Sequence, residues 1–116
     1  MNHAQQVVDK QAAVFSILAD PTRLKLVKLL QHQHDTNALC VSALANLLEV
    51  TQSAVSQHLR VLKVGGLVKR ERRGYQIHYF INQKILEKYR SLVLEALNIE
   101  DVRDKRFCKK NCLPRR

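Results

Sequence analysis

The stretch from Thr51 to Lys63, TQSAVSQHLRVLK, limits what this chain can fold into more than any other. Val55, Leu59 and Leu62 recur at spacings of four and three, which makes one buried helical stripe. Thr51 stands where its hydroxyl caps the first turn, and Gly65-Gly66 stops the helix with one glycine in a left-handed conformation. The other side of the helix carries Gln52, Ser53, Ser56, Gln57 and Arg60, and no acid. Exposed helix faces usually mix charges of both signs. A face of short hydrogen-bonding groups without a carboxylate suits contact with base edges and phosphates.

The flanking sequence sets this helix in a frame. Ala4 to Ala19 is a helix with Val7, Val8, Gln11, Val14, Phe15 and Leu18 on one face. In ADPTRLKLVKLL, Asp20 caps, Pro21 takes the first helical position, and Leu24, Val27 and Leu30 point inward. Gln31 to Asn37 is a polar loop. Val41 to Leu48 is a short helix with Leu44, Ala45 and Leu48 inside, joined by Glu49-Val50-Thr51 to the helix above. Leu67–Arg73 and Gln76–Asn82 are two β-rich runs meeting at Gly74-Tyr75, a hairpin signal. Ile85, Leu86, Tyr89, Leu92, Val93, Ala96 and Leu97 mark a last helix. The expected fold is mainly α with a small β-hairpin, in the order α-α-α-α-β-β-α. Two helices on a short turn followed by a basic hairpin make a winged helix-turn-helix. Residues 1–100 form this domain, and 101–116 a basic, cysteine-containing tail.

Charge points the same way. Lys and Arg number 20 against 10 acids, a formal charge of +10 on 116 residues. An excess of that size indicates a polyanionic partner, nucleic acid or an anionic membrane surface. No apolar run approaches the roughly 18 residues of a spanning helix, and the N-terminus lacks the apolar core of a secretion signal. A cytosolic protein without a membrane partner is the expectation, and its three cysteines are not a disulfide framework.

Lys69, Arg70, Arg72 and Arg73 crowd one strand of the hairpin and its turn, with only Glu71 opposed. Such a run in a wing meets phosphates or the minor groove. With Gln52, Ser53, Ser56, Gln57 and Arg60 on the helix, these residues are the candidate contacts to double-stranded DNA. Of the histidines, His58 lies toward the buried side of its helix as a hydrogen-bonded packing residue. His32 and His34 fall in the polar loop, and His78 pairs across the sheet.

At these residues the chain resembles the ArsR/SmtB family of bacterial winged-helix repressors. The matching motifs are ADPTRLKLVKLL, the segment from Leu39 to Asn82 and, within it, QSAVSQHLRVLK followed by GGLV. The resemblance spans roughly residues 10 to 98. It implies a homodimer built on the first and last helices, an inverted-repeat operator, and an effector that weakens DNA binding. The apolar faces of Ala4–Ala19 and Ile85–Leu97 suit such an interface independently. The family's metal sites carry over in part. Where one of them has two thiols in a Cys-Val-Cys stretch, this chain reads LCVSAL, with Cys40 at the first position and Ser42 at the second. A site on the last helix needs histidines, and ILEKYRSLVLEALNIED has none.

Cys40 falls near a helix start, where the dipole favours a thiolate. Cys108 and Cys112 sit among Arg106, Lys109 and Lys110, which also favour thiolates. Three thiolates suit a thiophilic ion such as trivalent arsenic, cadmium, lead or zinc. The expected function is a repressor released from its operator when these cysteines engage such an ion. Two alternatives remain open: a redox or sulfide-responsive thiol switch on the same fold, and an architectural DNA-binding protein without an effector. A thiol-disulfide enzyme is disfavoured, because redox enzymes place CxxC at a helix start after a strand.

Overall fold

The computed structural model describes residues 2–32 and 39–98. Its elements are α1 (His3–Leu18), α2 (Pro21–Gln31), β1 (Leu39–Cys40), α3 (Val41–Leu48), α4 (Gln52–Val64), β2 (Val68–Arg73), β3 (Gln76–Ile81) and α5 (Gln83–Ala96). The helix-turn-helix is α3–α4 and the wing is β2–β3. His34, Cys108, Cys112 and the proposed tail at 101–116 lie outside the described residues.

The helix starts follow local chemistry. Asp20 Oδ1 accepts from the backbone N–H of Thr22 at 2.8 Å and of Arg23 at 3.1 Å, with Pro21 at the first turn of α2. The Thr51 hydroxyl accepts from Ala54 N–H at 3.0 Å at the head of α4, and the Asn82 side chain accepts from Ile85 N–H at 3.3 Å at the head of α5. Between α3 and α4, Glu49 takes a left-handed conformation at φ 57°, and Val50 N–H closes the turn on Ala45 O at 3.2 Å.

Leu26, Leu44, Val55, Leu59, Leu62 and Leu67 are fully buried, and Val14, Val27, Leu30, Ala45, Val68, Ile81 and Tyr89 complete the core. The stripe expected on α4 is thus the part of the helix that holds it to the rest. Tyr89 Oη donates to Gly65 O at 2.7 Å and ties α5 to the end of α4. A Cβ at Gly65 would lie 2.6 Å from Ile17 Cδ1, so that glycine answers to space. Gly66, at φ +81°, is the left-handed one.

Three expectations change. A third strand, β1, pairs antiparallel with β3 and gives the order β1-β3-β2, where a two-stranded hairpin was expected. It is two residues long and exists by pairing with a segment almost forty residues away, so no local pattern marks it. Leu24 is 42% exposed, and Leu26 takes the inward place beside Val27. Val8 and Phe15 on α1 and Leu97 at the C-cap of α5 face outward although they lie in the apolar pattern of their segments.

Candidate nucleic-acid interface and thiol corner

Gln52, Ser53, Ser56, Gln57 and Arg60 are all exposed along α4, opposite Val55, Leu59 and Leu62. The helix that presents them has three buried anchors, so its polar side is held by packing rather than by its own contacts. No acid lies in its first turn. The positive end of the helix dipole therefore meets no carboxylate of its own helix there.

The register divides the wing's cations into two faces. Arg70 pairs with Tyr79 and Arg72 with Ile77, on the face that begins at the buried pair Val68 and Ile81. Lys69, Glu71 and Arg73 pair with Phe80, His78 and Gln76 on the opposite face. Arg73 Nε donates to Glu71 Oε1 at 3.0 Å, and its guanidinium lies 4.9 Å from the centre of the Phe80 ring. Lys69, Arg70 and Arg72 are exposed, while Arg73 is half-buried.

Cys40 ends β1 and is the N-cap of α3. Its Sγ lies 3.3 Å from Ser42 Oγ. The Ser42 hydroxyl and then the backbone N–H of Ala43 hold the Cys40 thiol below the ordinary thiol range, with burial opposing them weakly. Thus Ser42 shares a hydrogen bond with the Cys40 sulfur, in which either group can donate. The thiol is half-exposed and soft, so it fits a thiophilic ion as one donor. Among the described residues no group of three His, Cys, Asp or Glu is gathered to hold a metal. His78 lies directly opposite Cys40 across β1–β3 and opposite Glu71 across β2–β3. Its Nε2 is 3.3 Å from Gln76 Oε1, and its Nδ1 is buried without a hydrogen-bond partner among the described residues.

His58 is half-buried, with Nδ1 3.3 Å from Arg23 Nη1 and Nε2 3.8 Å from Asp20 Oδ1. His32 is exposed at the end of α2. Arg23 was not among the expected site residues. A signal for it exists in the sequence: a cation in the first turn of a helix opposes the dipole and so needs acceptors elsewhere.

The arsR-family model of bacterial regulatory proteins matches residues 20–70, which hold α2, the helix-turn-helix and the start of the wing. A transcriptional repressor SmtB homologue of Synechocystis is 39% identical over 93 residues, covering 79% of this chain and 64% of that protein. The arsenical resistance operon repressor of Escherichia coli is 34% identical over 87 residues, covering 75% of this chain and 72% of that one. The solved ArsR-like transcriptional regulator of Rhodococcus superposes with a TM-score of 0.67 at 28% identity, covering 89% of this chain and 96% of that structure. The helix order, the wing and these relatives agree, and the chain belongs to the arsR family of bacterial winged helix-turn-helix transcriptional regulators.

Proposed function

We propose that the chain acts as a homodimeric repressor that reads an inverted-repeat DNA site and releases it when its cysteines are engaged by a thiophilic metal or metalloid. The observation that carries the reading is the acid-free, exposed row Gln52, Ser53, Ser56, Gln57 and Arg60 on a helix anchored from behind. Gln and Arg make paired hydrogen bonds to adenine and guanine edges in the major groove, and serine takes either sense. Arg70 and Arg72 supply charge to phosphates on either side.

An exposed apolar surface away from the α4 row supports pairing with a second copy. Val8 and Phe15 on α1, Leu24 on α2, Leu94 on α5 and Leu97 just past it are exposed, and Leu24 and Leu94 line a groove of about 460 Å³ with Leu86, Tyr89 and Val93. Burying these groups against a partner copy removes apolar surface that one chain leaves in water. Two recognition helices then face half-sites about one helical turn apart or a multiple of it.

Cys40, Cys108 and Cys112 are the proposed ligands, with trivalent arsenic, cadmium, lead or zinc as inducer. Bound there, such an ion supplies strong bonds to thiolates. The position of Cys40 gives its engagement leverage, since the residue both ends the strand paired to the wing and caps the first helix of the reading head. Engagement that favours one arrangement of β1 and α3 over another moves the DNA-binding equilibrium by its differential affinity alone, typically about 1–3 kcal/mol. The lowered Cys40 thiol also supports oxidation as the engaging event.

The test is DNA affinity of the reduced protein, measured with arsenite, cadmium, lead, zinc, peroxide or polysulfide added in turn. The Cys108→Ser, Cys112→Ser double variant is expected to keep its DNA affinity and lose the response, and Cys40→Ser to lose it partly or fully. A double variant that responds like the parent removes the tail cysteines from the mechanism. Affinity independent of DNA sequence leaves the architectural reading in place of the repressor.

A further inference from the structure

Arg23 makes three contacts that no reading of the DNA face requires. Its Nε donates to Ile17 O at 2.6 Å and its Nη2 to Ser16 O at 3.2 Å. Those carbonyls belong to the last turn of α1, where no further helical N–H exists to satisfy them. The third contact, Nη1 to His58 Nδ1 at 3.3 Å, reaches the recognition helix α4. A guanidinium only donates, so Nδ1 is the acceptor and the imidazole hydrogen sits on Nε2. Nε2 faces Asp20 Oδ1 at 3.8 Å, and that oxygen already receives the N–H groups of Thr22 and Arg23. The ends of α1 and α2 and the middle of α4 are therefore joined by one polar cluster, at a depth where Arg23, Asp20 and His58 are each half-buried.

Among the described residues, the rest of the attachment of α4 is apolar along the helix, with Tyr89 Oη on Gly65 O as a further polar anchor at its C-cap. Val55, Leu59 and Leu62 hold the helix against the core, and apolar burial is non-directional. Such a stripe fixes the depth of a helix better than its roll about its own axis. A hydrogen bond is directional. His58 lies next to Gln57 and two residues before Arg60, so a bond at His58 sets the roll of the residues proposed to meet the bases. Bidentate base contacts tolerate only about half an ångström and 10–20° of misplacement.

We propose that Arg23 is a positioning residue for DNA recognition: through the His58 imidazole it locks the roll of α4 to the end of α1, and so sets sequence discrimination without touching DNA. The proposal deepens, and rests on, the reading of α4 as the base-contacting helix. It also joins the reader to α1, a helix proposed to meet the second copy, so that the dimer's geometry and the angle of its readers are one quantity.

The probes are a duplex enriched from a random-sequence pool by the parent protein, and a scrambled duplex of equal length and composition. Arg23→Gln is expected to lower affinity for the enriched duplex about tenfold, the size of one lost base contact, and to leave the scrambled duplex nearly unchanged. His58→Leu, which removes the acceptor, is expected to reproduce that loss, and the Arg23→Gln, His58→Leu double variant to lose no more than either single variant. His58→Asn places an oxygen where Nδ1 stands and is expected to restore discrimination, a rescue that a packing role would not produce. Equal loss on both duplexes, additive losses in the double variant, or His58→Asn behaving as His58→Leu does would each overturn the proposal. Arg60→Ala is measured alongside. Discrimination lost with Arg60→Ala but kept with Arg23→Gln overturns the positioning role alone. Discrimination lost with Arg23→Gln but kept with Arg60→Ala supports the positioning and overturns Arg60 as a reader.

Discussion

The recognition helix and the wing both present polar groups to solvent, yet they are built on opposite plans. On α4 the outward groups are two serines, two glutamines and one arginine, and the helix behind them is held by Val55, Leu59 and Leu62. On β2 they are long cations, split by the pleat into an Arg70–Arg72 face and a Lys69–Arg73 face, with Glu71 among them. Groups on a helix buried from behind start from a fixed backbone, and amide and guanidinium groups can bond base edges in pairs, which is what discrimination between base pairs demands. Long cations on an exposed strand tolerate loose placement, and attraction to phosphate depends on charge more than on angle. On the proposed reading, one small domain separates the reading of sequence from the supply of affinity.

That separation can be broken by substitution. The largest effect is expected from Gln57→Ala and Arg60→Ala, each costing about 1–3 kcal/mol on a preferred duplex and little on a scrambled one. Isothermal or anisotropy titrations on both duplexes check it; equal losses on the two would end the distinction between helix and wing. A smaller effect is expected in the wing. Arg70→Ala with Arg72→Ala is expected to weaken both duplexes alike and to lower the salt slope by about 0.9 per lost phosphate contact. Arg73→Ala is expected to do less, because its guanidinium is already engaged by Glu71 and Phe80. A larger slope change from Arg73 than from Arg70 and Arg72 together would reverse the assignment of the two faces. The smallest effect on DNA is expected from Ser42→Ala, which touches neither surface. It removes the hydroxyl that most lowers the Cys40 thiol. The thiolate then forms at higher pH, so the pH profile of Cys40 alkylation moves upward while DNA affinity stays at the parent value. An alkylation profile that does not move would put the cause of the lowered thiol in the backbone of α3.

Much of this was legible because it is local. Asp20, Thr51 and the two glycines mark their helix ends through hydrogen bonds and torsions within a few residues. The polar face of α4 follows from helical period alone. What was not legible depends on distant partners. The strand β1 appears only when Leu39 and Cys40 find Tyr79 and His78. The two faces of the wing require the register of β2 on β3. The outward placing of Phe15 and Leu97 contradicts their pattern only for a chain taken singly; a second copy would make the pattern right again. Arg23 needed the end of α1 and the middle of α4 brought together before its role was visible. Cys108 and Cys112 lie outside the described residues, so their part in the thiol site stands on the sequence.

Among the described residues the strand order β1-β3-β2 leaves β2 as an edge six residues long, with backbone groups on one side unpaired within the sheet. An edge of that kind invites another strand, and lysine and arginine are the residues that natural sheets place there to turn one away. The run of Lys69, Arg70, Arg72 and Arg73 is such a guard. Two wings approaching edge to edge would meet like charge, so the cations proposed to draw in a phosphate backbone would also keep free copies from aggregating. Neutralising them to weaken DNA binding would therefore also expose a template for strand addition, and solubility would fall along with affinity.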